Sequence, residues 1–488
     1  MSDILFVFPT NNNEYSLSIA IISGVIKQNG FSSCLFTLDF RCPSEDIDAE
    51  LVELMRNNSF MLIAISLYTN YWKPIDKWLY RIKELSTTPI LVGGWHPTLV
   101  PEDTLAHPSI DFICIGEGEF PTFDLLQAIK EGKRTDNIQN IWLRSPITGE
   151  IIKNSLRPPI PDLDVLPKPD YELFDFQSII DRRTAIILGP FGAIGAVPYS
   201  AGRGCAYHCN YCCNDGFQKR YGLLPKKFIR RRSVSVVMND LEHLVRNYDV
   251  KWIEFWDEDI TLDKEWFDEF IRQYPNRISL PFSVNARPNN VQEDQLQRLA
   301  KIDCKMVVMG VECGNEHYRI TNLKRNVTNQ QIINAFSLAR ENGIMTVSSN
   351  IVGMPFETEK EITETLDFNE LLAPDFFSFF IYNPFKGTEL FRIAEKAGLL
   401  DNDYEFMNYS YEDGGYIKGI DKKTFDKLFE RYVNLNHKLM KDCLKRYPNY
   451  PNVQPKKFSK KGLYSSFKKR VNTMLELFRK KPIQSNGC

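Results

Sequence analysis

The sequence has almost no net charge. Its 60 Lys and Arg stand against 62 Asp and Glu, a formal balance of −2, so the chain as a whole is no polycation. It also lacks a long apolar run. The one long uncharged stretch, Thr184 to Gly202, contains Gly189, Pro190, Gly192, Gly195 and Pro198. Such residues make a poor membrane helix, and a buried strand with a glycine-rich loop is expected instead. Eleven cysteines are an odd set and do not suit a complete disulfide framework. No signal peptide is visible, because Met1-Ser2-Asp3 leads straight into an apolar run, and a reducing cytoplasm is the expected location. No repeat period is visible either. Hydrophobic residues at 43% and charged residues at 25% are ordinary for a globular protein, which excludes general disorder, collagen and a disulfide miniprotein. At ~150 residues per domain, 488 residues suggest roughly three domains.

Short apolar runs and helical periods alternate along the first part of the chain. Ile4 to Phe8, Met61 to Leu67, Pro89 to Val92 and Asp111 to Ile115 read as strands. Ser16 to Asn29 carries helical spacing and stops at Gly30. Fully apolar strands separated by helices point to an α/β fold with a parallel sheet covered on both faces. Ligands in such sheets bind beyond the carboxyl ends of the strands, which marks the loops after Phe8, Leu67, Val92 and Ile115. The proline-rich run from Arg157 to Pro169 is a stiff extended linker. A second alternation follows, with strands expected at Ala185–Leu188 or Ala196–Tyr199, then at Trp252–Trp256, Phe282–Asn285, Met306–Gly310, Thr346–Ile351 and Phe376–Tyr382. This suits a parallel, barrel-like sheet of about six strands. A helix is expected over Lys422–Arg446. Lys456 to Lys481 then carries ten Lys/Arg against Glu476 alone. The domain reading is 1–145, a linker at 146–183, a core at 184–395 and a small, mostly helical region at 396–488.

Four cysteines crowd together at Cys205, Cys209, Cys212 and Cys213. The segment Gly202-Arg203-Gly204-Cys205-Ala206-Tyr207-His208-Cys209-Asn210-Tyr211-Cys212 has the spacing Cys-x3-Cys-x2-Cys. Three thiolates on one tight loop can hold three irons of a cubane and leave the fourth open. Zinc is the competing reading, with Cys213 or His208 as a fourth ligand. Structural zinc usually takes two separated pairs, and no second Cys-x2-Cys pair exists. Three unrelated buried cysteines are the third alternative.

This loop, with Tyr211 before its third cysteine, resembles the signature of the radical S-adenosylmethionine (radical SAM) superfamily. The resemblance implies a partial (β/α)6 barrel and a 4Fe–4S cluster on Cys205, Cys209 and Cys212. It also implies S-adenosylmethionine on the open iron, cleaved by one electron to methionine and a 5′-deoxyadenosyl radical. The electron would come from an external donor such as flavodoxin or ferredoxin. Flanking segments match as well. Phe255-Trp256-Asp257-Glu258-Asp259 lies where the superfamily binds the SAM amino group, and Asn285 and Arg287 end the next strand. Glu312, in Gly310-Val311-Glu312-Cys313-Gly314, resembles the residue that contacts the SAM ribose. Arg325 suits the SAM carboxylate, since a guanidinium fork fits that geometry. Tyr211, Asp257, Glu258, Asn285, Glu312 and Arg325 are therefore the expected SAM residues. Asn350-Ile351-Val352-Gly353-Met354-Pro355 with Glu357-Thr358, and Tyr382 to Leu390, resemble the loops that close the fifth and sixth strands.

In the N-terminal part, Ser66-Leu67-Tyr68, Gly93-Gly94-Trp95-His96 and Gly116-Glu117-Gly118-Glu119 resemble the cobalamin-binding branch of this superfamily. Its first domain is Rossmann-like, or flavodoxin-like. Ser66, Gly93, Gly94 and His96 are the residues this implies for cobalamin. The Asp-x-His-x-x-Gly motif that supplies a lower axial histidine is absent, with Pro9 to Glu14 in its place. The resemblance implies methyl transfer to an unactivated carbon. Oxidation, cyclisation or rearrangement without methyl transfer is the alternative, and an iron–sulfur or zinc regulatory module the alternative of another class. A small-molecule or lipid-like substrate is expected. The basic tail, with apolar residues from Phe458 to Phe478, allows peripheral contact with an anionic membrane; a solvated helix packed on its own domain is the plainer reading, and nucleic acid is disfavoured.

Overall fold

The computed structural model describes residues 2–11, 14–145, 148–182, 195–400 and 421–447. The candidate strand Ala185–Leu188 and the basic segment Lys456–Lys481 lie outside them.

The first sheet contains β1 (Ile4–Thr10), β2 (Ser33–Asp39), β3 (Leu62–Ser66), β4 (Ile90–Gly93), β5 (Phe112–Cys114), β6 (Ile141–Arg144) and β7 (Ile151–Lys153), in the order β2-β1-β3-β4-β5-β6-β7. The strands β1 to β5 run parallel, while β6 and β7 pair antiparallel. Successive strand side chains point to opposite faces. Accordingly Ile4, Phe6 and Phe8 enter one core, and Leu5 and Val7 another. This two-sided burial explains why β1 reads as an unbroken apolar run. The sequence pattern misses β2, an edge strand in which Phe36 and Leu38 are buried. It also places the first boundary too early. Ile151 to Lys153 pair with β6, so the sheet continues past residue 145. The proline-rich segment packs on this unit, with Ile160, Leu163 and Leu166 against Ile21 and Val25.

The second sheet contains β8 (Ala196–Tyr199), β11 (Trp252–Phe255), β12 (Phe282–Ala286), β13 (Cys304–Glu312), β14 (Met345–Val352) and β15 (Phe376–Ile381). A small hairpin-like pair, β9 (Gly202–Arg203) and β10 (Arg230–Arg231), lies between β8 and β11 in sequence. Every strand of the larger sheet is parallel to its neighbour and follows in chain order. The result is a half-barrel with β8 and β15 at its edges. Side-chain caps start the intervening helices. Ser233 accepts from the Val236 amide, Asp263 from the Trp266 amide, and Thr328 and Thr358 form capping boxes. The helix Lys422–Arg446 covers the β15 edge. Phe425, Leu428 and Leu439 share a core with Phe377 and Phe379. Asn436 both accepts from the Phe377 amide (3.1 Å) and donates to the Phe377 carbonyl (2.7 Å), replacing the missing strand partner. The aromatic run in β15 is thus largely core.

The two units face each other through a partly buried ion-pair cluster. Glu117, in the loop after β5, accepts from Arg230 (2.8 Å) and Arg203 (3.1 Å) and from the Ile160 amide (2.7 Å). Arg203 also pairs with Glu119. Burial opposes the Glu117 charge, but Arg203 and Arg230 outweigh it and hold the carboxyl below its usual range. Replacing one partner of a buried pair leaves an uncompensated charge, at a cost of about 3–5 kcal/mol. Glu117→Gln should therefore lower stability by about 3 kcal/mol in chemical denaturation. The stabilisation from a depressed carboxyl is present above its unfolded pKa of about 4.3 and fades as pH falls through the lower folded value. The wild type should accordingly lose its advantage over the variant in acid, and an advantage that grew on acidification would contradict this assignment.

Candidate functional site

The three-cysteine loop is held by backbone and side-chain contacts of the protein. β9 pairs with β10 and is followed by Gly204, which has φ +88°. A Cβ there would lie 2.1 Å from the Phe228 carbonyl oxygen. Only glycine meets both the left-handed backbone and the close approach. Gln218 then donates to the carbonyls of Cys205 (2.6 Å) and Tyr207 (3.3 Å). The Cys212 amide closes a turn on the Cys209 carbonyl (3.0 Å). Buried Asn210 ties the loop to Leu323, Asn322 and Leu390. The helix Cys213–Tyr221 starts directly after Cys212.

Cys209 is buried, and two guanidinium groups face its sulfur, Arg287 at 3.6 Å and Arg325 at 4.0 Å. Burial is the largest influence on the Cys205 thiol and pushes it up to about 12. The hydrogen bond with Cys213, and then burial, raise the Cys212 thiol. Such thiols become ligands when a metal supplies the compensating positive charge. Among the described residues, no group of three or more His, Cys, Asp or Glu converges to hold a single metal ion. His208 is instead paired with Asp215 (2.9 Å), and Cys213 is buried as the first residue of the helix. The donor set fits a cluster that takes one thiolate per iron better than a four-ligand zinc ion.

The expected SAM residues gather at the carboxyl edge of the same sheet. Asp257, just beyond β11, accepts from the Ala201 amide through Oδ2 (2.8 Å), while among the described residues its buried Oδ1 has no hydrogen-bond partner. Glu258 accepts from Asn214 (2.7 Å), and burial raises its pKa. Asn285 donates to the Asp257 carbonyl (3.1 Å), which positions that loop. Glu312 has φ +65°, follows a bulge in β13 and lies 3.5 Å from Arg325. Arg325 also donates to the Gly310 carbonyl (2.6 Å), and its buried Nε is unpartnered. Tyr211 packs on the apolar group around Cys313, Tyr318 and Leu323.

A cavity of about 380 Å³ joins the carboxyl edges of the two sheets. Ser66, Gly93 and Gly94 line one side, and Asp257, Glu258 and Asn214 the other. Gly94 has φ +102°, and a Cβ there would lie 2.8 Å from the Leu67 carbonyl oxygen. At Gly116 a Cβ would lie 1.9 Å from the Tyr221 hydroxyl, so this glycine admits a side chain from the second unit. A further cavity of about 290 Å³ shares Tyr68, Ser200 and Trp256 in its wall. His96 is not part of either lining. It is 2% exposed, stacks on Trp72 at 4.6 Å and lies 3.3 Å from the Thr69 hydroxyl. Burial pulls its pKa down to about 3, so it is neutral. Sequence reasoning did not single out Asn214 or the Glu117–Arg203–Arg230 cluster, and it gave Arg287 no role. Each acts through a contact distant in the chain, and the motifs that contain Glu117 and Arg203 do not show that the two meet.

The loop geometry gives a test that needs no cofactor. Gly204→Ala combines a disfavoured φ with a backbone clash and should cost more than about 1 kcal/mol, read as a clear fall in melting temperature. Gly222→Ala has a similar φ of +62° but meets nothing within 4 Å and should cost only about 1 kcal/mol. Equal effects at the two sites would contradict the steric account.

Comparison with known proteins is consistent with this layout. Residues 199–368 match the Radical SAM superfamily and residues 7–125 the B12 binding domain. An uncharacterized methyltransferase of Pyrococcus horikoshii is 29% identical over 314 residues, 64% of this chain and 64% of the relative. The chain thus spans just under two thirds of that protein. An anaerobic magnesium-protoporphyrin IX monomethyl ester cyclase of Rubrivivax gelatinosus is 24% identical over 456 residues, 90% of this chain and 76% of the cyclase. In fold, the chain resembles the radical S-adenosylmethionine methyltransferase TsrM of Kitasatospora setae, solved with cobalamin and a 4Fe–4S cluster. The TM-score is 0.65 at 17% identity, covering 99% of this chain and 100% of that one. The chain thus carries a B12 binding domain, matched over residues 7–125, followed by a radical SAM domain, matched over residues 199–368.

Proposed function

We propose that the chain binds a 4Fe–4S cluster on Cys205, Cys209 and Cys212, SAM beside it and cobalamin in the interdomain cavity, and that it transfers a methyl group to an unactivated carbon of a small molecule. The observation that carries this reading is the single cavity reaching from the glycine edge of the first sheet to the carboxylates beside the cysteine loop. When bound, the cofactors supply one-electron cleavage of a sulfonium and a methyl carrier; the chain supplies placement and exclusion of water. The unpartnered Oδ1 of Asp257 is a ready acceptor for the SAM amino group. Arg325 retains its buried Nε–H for a carboxylate, and Glu312 beside it is held for a ribose hydroxyl. Glu258 and Asn214 form the cavity wall nearest the cysteines. Gly93 and Gly94 let a bulky nucleotide tail approach the backbone, and Ser66 offers a hydroxyl beside them. Trp95, Tyr68 and Trp256 give the cavity an aromatic wall where substrate would meet both cofactors. An external reductant must deliver the electron.

The cyclase relative, which aligns along 90% of this chain, favours a second reading: radical oxidation or ring closure without methyl transfer. Products distinguish the two. Both readings require 5′-deoxyadenosine, whereas S-adenosylhomocysteine forms only when SAM gives up its methyl group.

Oxygen-free reconstitution should give about four irons and four sulfides per chain and reductant-dependent 5′-deoxyadenosine. Cys205→Ala, Cys209→Ala and Cys212→Ala should each abolish cleavage, and Cys213→Ala should retain it. One zinc per chain, or full cleavage by the Cys209 variant, would defeat the proposal and favour a regulatory metal module.

Cobalamin should bind without a histidine ligand. His96→Ala should leave the absorption spectrum of bound hydroxocobalamin unchanged while lowering thermal stability. Ser66→Trp, which fills the cavity, should weaken cobalamin binding by at least about tenfold, the effect of roughly 1.4 kcal/mol. A changed spectrum in the His96 variant would restore the histidine to the site.

A further inference from the structure

Arg287 follows β12 and is 6% exposed. Its Nε donates to the Asn289 amide oxygen (2.9 Å), its guanidinium lies over the Tyr207 ring (3.7 Å to the centroid), and its Nη1 lies 3.6 Å from Cys209 Sγ. These partners are an amide oxygen, an aromatic face and a sulfur. None is a carboxylate, yet guanidinium keeps its charge at any ordinary pH. A buried cation of this kind requires an anion nearby. Arg325, the second group on Cys209, differs, because Glu312 at 3.5 Å offsets its charge. Among the described residues no carboxylate forms an ion pair with the Arg287 guanidinium, since the buried Asp259 accepts from the Arg287 backbone amide (3.4 Å) instead, and the guanidinium points at one sulfur of the cysteine loop. Tyr207 belongs to that loop, and Asn290 holds the Tyr207 hydroxyl together with Asp259 (2.8 Å to Asp259). The guanidinium is thus fixed on both sides.

Building on the cluster assignment above, we propose that Arg287 is a positioning residue that raises the reduction potential of the cluster through Cys209. Reduction adds one negative charge to the cluster. A cationic donor on a ligand sulfur stabilises that added charge more than the oxidised form, and hydrogen bonds to the sulfurs are a recognised determinant of cluster potential. The effect works at the ligand and requires no contact between Arg287 and substrate.

The test is an EPR-monitored redox titration of the reconstituted full chain. In Arg287→Met the reduced-to-oxidised ratio at a given ambient potential should fall on the order of tenfold, the lower end expected for a charged hydrogen bond. Iron and sulfide content should stay at the wild-type level. Arg287→Lys retains the charge and should recover most of the ratio, whereas a purely structural role would not follow charge in this way. If Arg287→Met fails to hold iron, Tyr207→Leu loosens the guanidinium without removing it and should shift the ratio in the same direction by less. An unchanged ratio in Arg287→Met, or in Tyr207→Leu where Arg287→Met holds no iron, overturns the proposal, and so does loss of the cluster in both of these variants. Failure of the wild type to build a cubane is seen before any variant is compared and counts against the cluster assignment itself.

Discussion

The site depends on one carboxylate between two arginines. Glu117 comes from the loop after β5, while Arg203 and Arg230 come from the paired strands that lead to the cysteine loop. The same contact therefore joins the two units and sets the starting point of Gly204 and Cys205. Buried ion pairs add little net stability over an apolar alternative. Their value here lies in register, since a shift of the interface would separate four charged groups, Glu117, Glu119, Arg203 and Arg230, from these partners. Tyr221, seated against Gly116 and accepting from the Glu117 amide (3.0 Å), adds a steric constraint at the same point.

With that interface set, the parallel topology does the rest. A parallel sheet places all its strand ends on one edge. Two such edges meeting face to face enclose a cavity whose walls come from loops distant in sequence. The glycines sit where a backbone must approach closely, and the carboxylates sit where β11 and β13 end. Neither set of residues could form the pocket alone. The half-barrel is left with an open edge at β15, and the Asn436 amide on the C-terminal helix satisfies it.

The chain is similar to both a methyltransferase and a cyclase. On the proposed function, a radical generated beside the cysteine loop would serve either reaction. What separates them is the substrate that enters and its position relative to the two cofactors, and the aromatic wall of Tyr68, Trp95 and Trp256 is the part of this chain best placed to set that.

The sequence by itself determined the local elements: the apolar runs of β1 and β3, the helical spacing from Ser16 to the stop at Gly30, and the Cys-x3-Cys-x2-Cys spacing with its glycines. These signals are contained in a few neighbouring residues, and short-range periodicity or steric need is enough to read them. It did not reveal β2, where burial falls on alternate residues of an edge, or the β6–β7 pair, which needs the rest of the sheet. Only the tertiary structure placed His96 under Trp72 rather than in the cavity, and only it brought Arg287 to Cys209 across 78 residues of chain. A side chain's partner at that separation is decided by how whole sheets and helices pack, and the sequence around either residue carries no trace of the distance between them.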